Sequence, residues 1–115
     1  MIIKIVTDKI SKAELEEIAK EFFIGMIKVV VDVKKEIMAV GGELHVDANQ
    51  VLIENGSKQQ DIWGISIYFS KPAEDWIEFF SLINIRPKEK NFSQDIESRE
   101  IREKIKNIVN KLVVE

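Results

Sequence analysis

The sequence of 115 residues contains no cysteine, one histidine, two prolines and five glycines. Without cysteine there can be no disulfide, zinc finger, iron–sulfur cluster or thiol nucleophile. A single histidine rules out a multi-histidine metal site within one chain. An excess of positive charge is also missing. Twenty acidic side chains face 17 basic ones, for a net charge of -3 and a pI of about 5.3. A nucleic-acid partner, which demands a basic face, is not expected. The stretch 87–115 holds 7 basic and 6 acidic residues and forms no basic patch. No apolar run approaches the ~20 residues of a membrane span, so no membrane association is expected. The start, MIIKIVTDKI, is broken by Lys4 and Asp8, short of the roughly 7–15 uninterrupted apolar residues of a secretory signal. A cytoplasmic location is expected by elimination. No phosphate-binding glycine loop, dinucleotide fingerprint, nucleophile elbow or paired-histidine zinc motif is present.

What remains is 45% hydrophobic residues, an ordinary share for a globular chain. The length fits one domain over 1–115. Lysine outnumbers arginine 14 to 3, glutamate outnumbers aspartate 14 to 6, and isoleucine occurs 19 times. That bias fits a thermophile and equally an AT-rich genome.

Hydrophobic spacing organises the chain. Ile2, Ile3, Ile5 and Val6 read as a first strand. Ser11-x-x-Glu14 is a capping box, opening a helix over 11–24 with Leu15, Ile18, Ala19 and Phe22 on its buried side and Gly25 as its stop. From Met26 the period becomes two. Ile27, Val29, Val31 and Val33 share one strand face, and Ile37–Val40 is the return strand of a hairpin. Gly41-Gly42 permits a bend. Residues 43–57 allow two readings. One is a short helix capped by Asp47 and closed at Asn55-Gly56. The other is a hairpin turning at Asn55-Gly56. The helix is preferred slightly. Strands are expected at 61–69 and 76–86, joined by a polar loop. A last helix over 96–113 carries Ile101, Ile105, Ile108 and Leu112 on one stripe. The expected fold is therefore α+β: an antiparallel or mixed sheet of four to six strands with two main helices packed on one face.

Two groups of residues carry chemistry. In an extended segment, Glu43, His45 and Asp47 project from one face, spaced about 6.5–7 Å. An imidazole with two carboxylates is an acid/base set, and also the one candidate metal-ligand set in the chain. The competing reading is a solvated face with a structural histidine. No metal is expected and no cofactor is identified. The second group is Asn84 and Arg86, polar residues within an apolar run, with Trp63 as an aromatic wall. Arginine suits a carboxylate or phosphate ligand. Its alternative is an ion pair with Glu78 or Asp61.

The strings Gly41-Gly42-Glu43-Leu44-His45-x-Asp47, Gly56-Ser57-x-Gln59, Trp63-Gly64 and Ser81-Leu82-Ile83-Asn84-Ile85-Arg86-Pro87 resemble a small prokaryotic family known only as a domain of unknown function. The resemblance covers nearly the whole chain. It implies no activity, only that these residues belong together around one surface.

With no catalytic motif, the function expected is a non-catalytic binding or interaction module for a small molecule or a second copy of the chain. Phe80 and Leu82, apolar on a polar strand face, point to a homo-oligomer. The alternative is a small metal-dependent or acid/base enzyme built on Glu43, His45 and Asp47.

Overall fold

The computed structural model describes residues 1–115. The β-branched run Met26–Asp32 forms β3 and Ile37–Gly41 forms β4, an antiparallel hairpin with Val30 opposite Ala39. Asp32 closes the turn by accepting the backbone N–H groups of Lys34 and Lys35. β1 (Ile3–Val6) lies against β4, and β5 (Ile62–Tyr68) pairs along all seven residues of β3. β6 (Ile77–Glu78) adds a short edge beside β5. The result is one five-stranded antiparallel sheet in the order β1-β4-β3-β5-β6. A second, two-stranded parallel sheet joins β2 (Ile10–Ser11) to β7 (Val113–Val114).

Alternation on the strands sorts their side chains to two cores. Val29, Val31, Met38, Val40, Trp63, Ile65 and Ile67 face one way and meet α1 (Lys12–Ala19) and α3 (Arg99–Leu112) through Leu15, Ile105, Ile108 and Leu112. Val30, Ile37, Ala39 and Ile62 face the other way, under Ala48 and Leu52 of α2 (His45–Glu54). The fold is α+β as expected, with α1 and α3 on one face. The slight preference for a helix within 43–57 is borne out by α2, which covers the opposite face. Gly41 is required where β4 leaves the sheet: its φ is +107°, and a Cβ there would stand 2.4 Å from the Ile2 carbonyl oxygen.

Four expectations need correction. The helix expected over 11–24 ends at Ala19, and Phe22 lies exposed in the turn that follows. Ser11 does cap α1, but Glu14 reaches Lys4 rather than back to Ser11, so only half the capping box forms. The N-cap of α2 is Leu44, not Asp47. The strand expected over 76–86 stops at Glu78. Ser81 instead accepts the N–H of Ile83 and starts a 3-10 turn at Leu82–Asn84, and Pro87–Glu89 forms another. The segment from 79 to 96 is a loop folded back on itself, bridged at Phe80–Asp95 and Arg86–Asn91.

Candidate functional site

The sheet face beneath α2 is only partly covered. The helix lies over Val30, Ala39 and Ile62, and the next rows of the same face extend past its N-terminus. Lys28, Ser66 and Glu78 are direct cross-strand partners on β3, β5 and β6, and Met26 pairs with Tyr68 in the row beyond. Leu44, His45 and Val46 rise on one side of this patch, and Phe80 to Ile83 on the other. Together they enclose an open cleft of about 380 Å³, within the ~300–1,000 Å³ typical of small-molecule sites. Its rim is apolar and solvated: Val46 is 54% exposed and Leu82 72%.

His45 forms part of the cleft wall. Its Nε2 lies 2.6 Å from the Ile65 carbonyl oxygen. A carbonyl only accepts, so Nε2 carries the proton and donates. Burial pushes the imidazole pKa below its ordinary value; the bond to Ile65 and the Glu78 carboxylate work against that, while Lys28 adds to it. At neutral pH the ring is uncharged, and Nδ1 presents a lone pair that no group of the chain occupies and that is not sealed from the cleft.

Leu44 supplies no side-chain cap, so the N–H groups of His45 and Val46 have no acceptor in the chain. Both residues border the cleft. Glu43 and Asp47 do not. On a helix, positions 45 and 47 point in widely different directions, and Glu43 is exposed in the loop before α2. No three His, Asp or Glu side chains are grouped so as to hold a metal ion.

Asn84, Arg86 and Trp63 do come together, at the start of β5. Asn84 is fully buried. Its Oδ1 accepts the N–H of Gly64 at 2.8 Å, while Nδ2 donates to the Gly64 carbonyl at 2.9 Å and to that of Gln94 at 3.1 Å. The Arg86 guanidinium stacks 3.9 Å from the Trp63 ring centroid and donates to the carbonyls of Gln59 and Ile62. It forms no ion pair with Glu78 or Asp61; burial lowers its pKa, and the Glu89 and Asp61 carboxylates only partly offset that. These groups fasten the 79–96 loop to β5, and most of their polar atoms are taken by main chain. Asn91 does the same within the loop, donating to the carbonyls of Asn84, Ser93 and Asp95 and accepting the N–H of Glu97.

The profile of one family, described as "Protein of unknown function (DUF5674)", matches residues 4–112. The chain belongs to this DUF5674 family. No curated protein and no solved structure matches it. In this DUF5674 chain the motif stretches noted above meet in space. Gly64 packs so closely on Ser81 that a Cβ would stand 2.7 Å from that of Ser81. His45 faces Ser81, Leu82 and Ile83 across the cleft. Sequence reasoning missed Lys28, Ser66 and Glu78 as one row, and missed Asn91. The alternation on either side of Lys28 and Ser66 carried the signal, but only the register between strands aligns them.

Proposed function

We propose that this protein is a non-catalytic binding module whose ligand enters the cleft between the N-terminus of α2 and the 79–96 loop. One observation carries the reading: half of a sheet face is left open by α2 and rimmed by exposed apolar side chains. Buried sheet faces are normally covered, and apolar rims of this kind mark binding sites. His45 serves as a fixed hydrogen-bond acceptor rather than a proton shuttle, because neither Glu43 nor Asp47 reaches its ring. The test is an amide NMR screen with small fragments. Shifts clustered at Met26, His45, Ser66, Phe80 and Leu82 are expected. Scattered shifts, or clusters elsewhere, overturn the proposal.

A second copy of the chain is the other occupant with support, because Leu44, Val46, Phe80 and Leu82 are all exposed. Sedimentation equilibrium tests it. A wild-type dimer that Leu82→Glu converts to a monomer supports self-association through the rim. A monomer at every concentration removes it.

A further inference from the structure

The polar atoms lining the cleft are arranged for an anion, and the remainder of its wall is apolar. Four groups that can donate hydrogen bonds have no acceptor in the chain. Two are the N–H groups of His45 and Val46, at the positive end of the α2 dipole. The third is Ser66 Oγ: the residue is only 3% exposed, lines the cleft, and its hydroxyl has no hydrogen-bond partner. The fourth is the Lys28 ammonium, the direct cross-strand neighbour of Ser66, which lies 5.2 Å from the Phe23 ring centroid and has no carboxylate partner. The Ser66 oxygen itself is not sealed in, so a ligand in the cleft can reach it. All four residues line the same cleft.

The one carboxylate in the cleft, that of Glu78, flanks Ser66 on the side away from Lys28. Glu78 is on the edge strand, two strand spacings or roughly 10 Å across the sheet from Lys28. Its Oε1 accepts the Tyr68 hydroxyl at 3.1 Å. It therefore sets a polarity: an anion is favoured beside Lys28 and disfavoured at the outer edge. Between those ends the wall is Met26, Phe80 and Leu82, with neutral His45 offering Nδ1 to a hydroxyl or protonated group.

We propose that the cleft binds a small carboxylate with an apolar tail, its oxygens on Ser66 Oγ, Lys28 Nζ and the free N–H groups of His45 and Val46, and its tail against Met26, Phe80 and Leu82. This rests on the binding-module reading and adds the chemical class of the ligand. Three probes of one chain length separate the terms: octanoate, octanol and octylamine, titrated into labelled protein and followed by amide shifts. Octanoate binds about ten-fold tighter than octanol, as expected for charge-assisted hydrogen bonds over neutral ones, and moves the His45 and Val46 amide signals. Octylamine binds no better than octanol. Lys28→Gln erases the preference for octanoate over octanol. So does Leu44→Ser, at an exposed position, by supplying an internal acceptor for the helix N-terminus. Equal affinity for octanoate and octanol overturns the carboxylate assignment, as does tighter binding of octylamine or a preference that survives both variants. If the fragments of the broader screen still cluster in the cleft, the binding-module reading stands without it.

Discussion

A primary amide side chain carries the same acceptor and donor that a strand residue offers its neighbour. Asn84 uses them that way, pairing with both the N–H and the C=O of Gly64 where β6 does not reach. The loop thereby completes the sheet edge without being a strand. Asn84→Ala leaves two buried backbone groups of Gly64 and the Gln94 carbonyl without this partner. The expected loss is about 3 kcal/mol, at ~1–3 kcal/mol for each unsatisfied buried group, read by urea denaturation. Asn84→Asp costs at least as much, because its second oxygen would face the carbonyls it now donates to. From sequence, Asn84 and Arg86 stood out as polar residues in an apolar run. That signal was real, but it cannot distinguish a polar group reaching for a ligand from one reaching for the main chain. A variant at Arg86 tests the same point: Arg86→Lys keeps the charge but loses the planar stack on Trp63 and the paired carbonyl contacts. It should lower the melting temperature and leave ligand shifts in the cleft unchanged.

Among the elements, those legible in the sequence are the ones whose period repeats. The alternation in 26–33 and 37–40 maps onto β3 and β4, and the stripe at Ile101, Ile105, Ile108 and Leu112 onto α3. Residues 79–86 also alternate, yet form no strand. Ser81 captures the Ile83 N–H, Gly64 admits Ser81 at close range, and Asn84 and Asn91 take up backbone groups that a ladder would have used. Such side-chain competition is local and invisible to hydrophobic periodicity. The same limit hid the start of α2, which begins after a leucine rather than at Asp47. Leu44→Ser should therefore stabilise the fold by about 0.5–1 kcal/mol, the usual value of an N-cap, measured by thermal unfolding. A cap that stabilises the protein while weakening octanoate would tie the open helix end to binding. Natural sequences tolerate such a local fault where the unsatisfied groups are used.

At the scale of the whole molecule, stability should depend on pH in two separate windows. His45 is held neutral by burial, so its folded pKa lies below the ordinary value of 6.5. Between those two values the unfolded chain binds a proton that the folded chain refuses. Stability therefore rises with pH across that interval, and falls as the pH drops below about 6.5. The second window belongs to carboxylates. Glu97 accepts the N–H groups of Phe92 and Ser93 and the Ser93 hydroxyl, and Glu36 pairs with Lys111 at 2.7 Å; both pKa values are pushed below the ordinary 4.5. Those groups stabilise the fold above about pH 4.5, and that contribution is lost as acid protonates them. Both are exposed, so their share is small and screened by salt. With only one histidine in the chain, the assignment of the upper window is direct. His45→Gln retains an amide donor for the Ile65 carbonyl and has no proton to gain. Urea midpoints measured from pH 8 to pH 5 should decline for the wild type and stay flat for His45→Gln, while both fall together below pH 4.5. An NMR titration that puts the imidazole pKa above 6.5 would reverse the sign of the upper window, and with it the view of His45 as a neutral acceptor beside Lys28.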